Sequence, residues 1–368
     1  MSKSAKPTAS IVKFSSMAYS KWDASQTLPA KFKRMLESSD LGERIKGKSV
    51  AIKMHVGSNL SFSTIPPIFV RILVDYVKNS GAKCFITDHY IHGRHPEERG
   101  YTPSNLGCEV LEGAGYFGKY FYTREVDFKK LKHVDISGLV NDADFLINFS
   151  HVKGHGACAF GGAVKNIAMG CVTDRTRGEI HSLEGGIEWD KEKCNYCEQC
   201  IQSCNHHANK FNGKEYEVFF HHCTFCQHCV QVCPTGAIKM TDDNKADFNE
   251  GMAICTKEVL DTFAPGNHYH INVLTSITAL CDCWGFTTPS LVPDIGIMAS
   301  DDIVAIEKAS IDAIKIENLI EAGIPEGHLM GTEGHLFKRL HGKDPYDQLG
   351  MLVKYDLGSL DYEIEPAE

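Results

Sequence analysis

The chain has 368 residues, enough for two or three domains of about 100–200 residues each. Its 43% hydrophobic and 23% charged residues are those of a globular protein with a proper core, and a net charge of −9 excludes a broad basic face for nucleic acid. The basic runs Lys31–Arg34 and Lys129–Lys132 are short and read as solvated surface. No stretch reaches the about eighteen apolar residues of a membrane span, since "IPPIFVRILVDYV" is broken by Arg71 and Asp75. The first sixteen residues lack a hydrophobic signal core, which reads as a cytoplasmic protein.

In chain order, "SVAIKMH" at 49–55 predicts a buried strand. "PPIFVRILVDYVKNSG" predicts a helix with Pro66 and Pro67 in its first turn and Gly81 at its end, and "KCFITDH" a second strand. A polar loop then carries Asp88, His89, His92, Arg94 and His95. "PSNLGCEVLEGAG" predicts a helix, and the "GAGYFG" that closes it matches G-x-G-x-x-G only formally. Following a helix instead of a strand, it reads as a turn and not a dinucleotide site. "ADFLINFS" at 143–150 is another strand.

The glycine-rich stretch "KGHGACAFGGAVKNIAMGC" follows, with His181 ten residues beyond it. Glycines 154, 156, 161 and 162 permit positive φ and close backbone approach to a ligand. "GGAVKNIAMG" can open a helix whose amides face an anion, with Lys165 one turn in. Gly161, Gly162, Lys165 and Asn166 are thus candidates to hold a cofactor. His89, His92, Lys153, His155, Lys165 and His181 are candidates for proton transfer and for holding an anionic substrate.

Fifteen cysteines in a chain read as cytoplasmic are expected to be metal ligands or reactive thiols, and eight fall between residues 194 and 233. "CNYCEQCIQSC" and "CTFCQHCVQVCP" repeat C-x2-C-x2-C-x3-C. In such a run three thiolates bind one [4Fe–4S] cluster and the fourth serves the neighbouring one. Cys194, Cys197, Cys200 and Cys233 are therefore assigned to one cluster, and Cys223, Cys226, Cys229 and Cys204 to a second. Zinc is the competing reading, but it leaves the third cysteine of each run without a use. The segment resembles a bacterial two-cluster ferredoxin, although Cys204 is followed by "NHHAN" where that family has proline. The resemblance implies electron transfer and a redox partner such as a ferredoxin or flavoprotein.

Beyond it, "KADFNEGMAICTKEVLDTF" predicts a helix, "YHINVLTSIT" and "DIGIMAS" predict strands, and a capped amphipathic helix runs from Asp301 to Gly323. Cys281 and Cys283 in "LCDCWG" can bind a further metal or act as a redox pair. Alternating strands and helices on both sides of the cysteine block predict an α/β protein. Its architecture is a two-lobed Rossmann-like scaffold with an inserted α+β two-cluster ferredoxin-like domain. The lobes are 1–187 and 244–368, and the insertion is 188–243.

"HVKGH", "FGGAVKNIAMGC" and "CDC…DIGIMASDDIVAIEKASIDAI" resemble the domain-of-unknown-function 362 family, over about residues 48–355. A more distant likeness is to the nickel-pincer lactate racemases. His155-x9-Lys165-x15-His181 is similar to their order of acid/base, cofactor-tethering lysine and nickel ligand, and His89 or His92 would be a second acid/base. "GGAVK" departs by one residue from their Gly-Gly-x-Lys, and their phosphate-binding run after the first strand is replaced by "HVGSNLSFST". The expected function is an iron–sulfur oxidoreductase. The alternatives are an electron carrier without its own substrate and a racemase-like metalloenzyme, with an organic or metal cofactor in the α/β body left open.

Overall fold

The computed structural model describes residues 9–58, 60–91, 93–204, 207–219, 223, 228–241, 245–324 and 330–367. The candidates His92 and Cys226 lie outside these residues. In chain order the strands are β1 (Ser10–Ser16), β2 (Ser49–Lys53), β3 (Lys83–Asp88), β4 (Val110–Glu112), β5 (Phe121–Phe128), β6 (Leu131–Ser137), β7 (Phe145–His151), β8 (Lys153–His155), β9 (Ala159–Gly161), β10 (Gly186–Trp189), β11 (Asn209–Asn212), β12 (Glu215–Val218), β13 (Ile238–Thr241), β14 (His268–Leu274), β15 (Gly296–Ser300) and β16 (Tyr362–Pro366).

Eight of them form one sheet, ordered β16-β1-β15-β14-β7-β2-β3-β4. From β14 to β4 every pair is parallel, but β15 is antiparallel to both its neighbours. The sheet is therefore mixed. The segments expected as two lobes both contribute to it, since β14 pairs with β7 and β1 with β15.

Helices cover both faces, so the central strands are continuous apolar runs. Val50, Ile52, Phe145 and Ile147 face Phe32, Leu36, Phe69, Leu73 and Val77 on the helices Leu28–Glu37 and Pro67–Asn79. Ala51 and Leu146 point the other way. They meet Val164, Ile167, Met252, Ala253 and Ile306 on the helices Ala163–Ala168, Lys245–Leu260 and Ile303–Ala313. Each fully buried side chain of this size contributes about 1.5–3 kcal/mol, so these two cores carry the scaffold.

Two expected elements differ. The helix foreseen at "PSNLGCEVLEGAG" is the single turn Pro103–Leu106, because Gly107 takes φ 80 and closes it. The chain then extends as β4, so "GAGYFG" does follow a strand. It leads through Gly115 (φ 70) and Gly118 (φ 62) into the β5–β6 hairpin, not into a helix, and still makes no dinucleotide turn. The helix expected to reach Gly323 stops at Ala313, where Ile314 turns extended and enters the core.

The cysteine segment forms a small α+β unit. β10 pairs antiparallel with β13 and β11 with β12, with short helices at Gln199–Gln202 and His228–Gln231. Each half of the sequence repeat becomes strand, helix, strand. The third cysteines of the two runs, Cys200 and Cys229, are both buried beside Ile238.

Candidate functional site

The parallel strands β2, β3 and β7 end at Lys53, Asp88 and His151, and all three residues line one cavity. Open α/β sheets place their ligands at this end of the strands. The same cavity is lined by His89, Lys153, His155, Gly161, Gly162, Lys165, Asn166, His181, Cys281 and Cys283. Every described residue that the sequence proposed for catalysis or cofactor binding in the α/β body therefore meets the others there. Cys223, from the second cysteine run, lines it too.

The glycine-rich stretch builds one wall, but not through left-handed backbone. Gly154, Gly161 and Gly162 are absent from the positive-φ residues, and Ala159 holds the left-handed position in this stretch at φ 67. Glycine is required here by close approach. A Cβ on Gly154 would lie 2.3 Å from the Ala279 carbonyl oxygen, and one on Gly162 would lie 2.3 Å from Glu307 Oε2. One of the first amides of the helix Ala163–Ala168 is taken up within the protein, since Val164 N–H donates to Glu307 Oε1 at 2.7 Å. Burial outweighs the bonds from Val164 and Asn272 and raises the Glu307 carboxyl to about 7.

Asn166 is likewise occupied within the protein. Its amide donates to the Lys53 carbonyl (3.0 Å) and to Asn148 Oδ1 (2.7 Å), and its Oδ1 accepts from Lys53 Nζ (2.7 Å). It clasps the glycine-rich helix to β2 and β7. Lys153 is 1% exposed and bonded to Asp282 Oδ1 (2.6 Å) and Ser63 Oγ (2.6 Å), so its ammonium supports the wall. Burial opposes the charge on Asp282, yet His151 and Lys153 hold its carboxyl well below the usual range.

The remaining charges are unbalanced. Lys53 pairs with Asp88 at 3.1 Å and Lys153 with Asp282, which uses both carboxylates of the lining. Arg94 is 3.9 Å from the already paired Asp88. Arg177 reaches the exposed Asp174 at 3.3 Å, while its Nε is buried without a hydrogen-bond partner among the described residues. Lys165 has no carboxylate within ion-pair distance among the described residues, and enclosure in the cavity lowers its ammonium to about 8. Three cations thus converge on the cavity: Arg94 shares Asp88, Arg177 pairs with Asp174, and Lys165 has no carboxylate partner among the described residues.

Lys165 Nζ lies 3.7 Å from Cys281 Sγ and 3.8 Å from Cys283 Sγ, and those two cysteines are joined as a disulfide. His155 comes within 4.8 Å of both sulfurs. Its Nδ1 accepts from the amides of Ala157 (3.1 Å) and Cys158 (3.3 Å), so the neutral ring carries its proton on Nε2. Burial holds that ring neutral, far below the usual imidazole range. His89 Nε2 bonds Asp174 Oδ1 at 2.9 Å, and His181 Nδ1 lies 3.3 Å from Glu184 Oε2.

A second, smaller cavity is lined by Cys194, Cys197, Cys200 and Cys233. Backbone amides point at the sulfurs: Tyr196 N–H donates to Cys194 Sγ and Ala208 N–H to Cys204 Sγ. Burial resists ionisation of Cys233, but bonds from Ile238, Thr235 and Ala237 win and lower its thiol. Burial raises Cys200 to about 11.

Sequence reading missed Lys53, His55 and Arg177 in the cavity at the strand ends. The signal for the first two was available, since "AIKMH" puts a lysine and a histidine at the end of a buried strand. Arg177 sits on the helix Asp174–Ser182, four residues before His181 and so on the same face.

No helix among the described residues is long and apolar enough to cross a membrane. No curated protein matches the chain. Among solved structures, the lactate racemase apoprotein from Thermoanaerobacterium thermosaccharolyticum is similar at 15% identity and a TM-score of 0.35, over 72% of this chain and 51% of that one. The present chain thus spans about half the length of that protein. The model of the domain of unknown function DUF362 matches residues 50–312, and the chain belongs to that family.

Proposed function

We propose that the protein is an iron–sulfur oxidoreductase acting on a small anionic substrate held in the cavity at the strand ends. The carrying observation is that Cys223 lines the same cavity as Lys165 and His155, while Cys194, Cys197, Cys200 and Cys233 surround a cavity of their own. The donor set fits iron–sulfur clusters better than zinc. Four thiolates on a tetrahedral zinc ion lie about 3.8 Å apart, yet no three of these four sulfurs come within 4.8 Å of one another. A cubane keeps its thiolates further apart because it sits between them.

Cys194, Cys197, Cys200 and Cys233 would hold one [4Fe–4S] cluster, and Cys223, Cys226, Cys229 and Cys204 the other. Such clusters supply one-electron transfer with little rearrangement. Cys197 is exposed, so a redox partner of the ferredoxin or flavoprotein type would meet the first set, and the second adjoins the substrate. Within the cavity, Lys165, Arg94 and Arg177 bind and orient the anion. His155, neutral with its proton on Nε2, is the donor beside the reacting group, and His89, paired with Asp174, is a second. An electron carrier without a substrate has no use for three converging cations.

The test is anaerobic. Protein reduced with dithionite and freed of it is offered small anions that carry a reducible group, such as 2-oxo and α,β-unsaturated carboxylates, and cluster reoxidation and EPR are followed. A substrate anion should reoxidise the wild type and perturb one cluster signal, and Lys165→Met should abolish both effects. Undiminished redox activity in Lys165→Met and His155→Ala would refute the assignment.

A second reading is a racemase-like metalloenzyme, favoured by the approach of His155, Cys281 and Cys283 within 4.8 Å. The His155 tautomer weighs against it, because a metal-bound ring donates its other N–H, whereas Nδ1 here accepts two. One tightly bound nickel or zinc ion per chain, beyond the cluster iron, would favour this reading.

A further inference from the structure

Cys281 and Cys283 flank Asp282 in a tight turn, the helix Asp282–Trp284. Asp282 is 4% exposed and anchored by Lys153 and Ser63. Asp282 lines the cavity together with both sulfurs, and its anchor to Lys153 and Ser63 fixes the turn that holds them in the wall. The pair is asymmetric: Cys281 is buried, while Cys283 is half-buried. Lys165 Nζ stands almost equidistant from the two sulfurs, at 3.7 and 3.8 Å. An ammonium in that position stabilises whichever sulfur becomes a thiolate.

We propose that Cys281 and Cys283 form a redox-active dithiol–disulfide pair in the cavity, with Lys165 as counter-ion of its thiolate and Cys283 as the sulfur that meets the substrate. Reduction breaks the S–S bond, takes up two electrons and two protons, and gives two thiols. A dithiol reductant, or two successive one-electron transfers, supplies the electrons. In the reverse sense the Cys283 thiolate attacks a disulfide-type or other two-electron acceptor, and the Cys281 thiol then displaces the product, loses its proton and restores the S–S bond. A half-buried attacking sulfur and a buried resolving one suit this order. The charged surroundings favour an anionic partner. The proposal deepens the redox reading of the cavity and rests on it for the identity of the physiological electron source, but the chemistry of the pair is measurable without that source.

The experiment equilibrates anaerobic holoprotein at a series of reduced-to-oxidised dithiothreitol ratios, alkylates it after an acid quench, and reads the peptide containing Cys281 and Cys283 by mass spectrometry. The expected result is one cooperative transition between a doubly alkylated and an unalkylated peptide. With the pair reduced, Cys283 should react with iodoacetate at neutral pH about tenfold faster than in Lys165→Met, since a thiol pKa moved by one unit changes the thiolate fraction tenfold. Cys283→Ser should leave Cys281 alkylated at every ratio. A peptide that stays doubly alkylated, or unalkylated, at every ratio would overturn the proposal. So would one zinc ion per chain bound by the reduced protein and lost in His155→Ala. Cluster iron is counted in the same samples. A titrating pair in iron-free protein sinks the electron-transfer reading alone, and an inert pair beside intact clusters sinks this proposal alone.

Discussion

Glu307→Gln separates a buried acid from the scaffold it supports. Glu307 is 0% exposed, accepts the Val164 N–H that opens the Lys165 helix, and is touched by Asn272 Nδ2 at 3.2 Å. Burial raises its carboxyl from 4.5 in the unfolded chain to about 7 in the folded one. An acid raised on folding binds more protons folded than unfolded. Its contribution is whole below about pH 4.5 and is lost as pH rises through 7. At about 1.4 kcal/mol per pH unit, the loss is about 3 kcal/mol. Glutamine keeps a carbonyl for Val164 and carries no charge, and Asn272 Oδ1, buried without a partner among the described residues, can turn to accept from it. Paired thermal melts of wild type and variant from pH 5 to pH 8 should show the variant gaining about 5 °C on the wild type, at about 2 °C per kcal/mol. A gap that stays constant, or that opens in favour of the wild type as pH rises, would refute the reasoning.

Other outcomes follow from the same packing. Asp282→Asn strands the Lys153 ammonium, 1% exposed, and should cost about 3–5 kcal/mol in denaturant unfolding at neutral pH. Because the folded carboxyl is depressed, this stability is present above the ordinary carboxylate range, and the deficit of the variant should shrink as pH falls. Gly154→Ala drives a Cβ to 2.3 Å from the Ala279 carbonyl oxygen, a backbone atom that cannot swing away, and should destabilise by about 1–3 kcal/mol. Gly178→Ala, in the helix Asp174–Ser182 with nothing within 4 Å, should raise stability by about 0.5–1 kcal/mol in the same assay.

The strands β2, β3, β7, β14 and β15 were legible because helices on both sides force apolar runs. β1 and β16 were not, since their exposure is mixed and they lie at or near the sheet edge. The β5–β6 hairpin escaped because β5 is exposed along most of its length and carries no buried stripe. The lining of the candidate site was legible as a set of residue types, because histidines, lysines and glycines crowded into 153–181 have few structural uses. What each does was not. The glycines answer to Ala279 and Glu307, more than a hundred residues away, and Lys153 answers to Asp282. Such partners come from non-local packing, which spacing along the chain does not encode. Glu307 lies in the helix Ile303–Ala313, and nothing in its local sequence marks that carboxyl as buried.

The proposed function requires clusters, held by the cysteine thiolates, that carry electrons beside the cavity. Metal analysis and EPR of protein purified without air test this most directly. The account predicts about eight iron atoms per chain and two interacting reduced [4Fe–4S] signals, one of which changes when an anion enters the cavity. Colourless protein with zinc at the cysteines and no iron would contradict it.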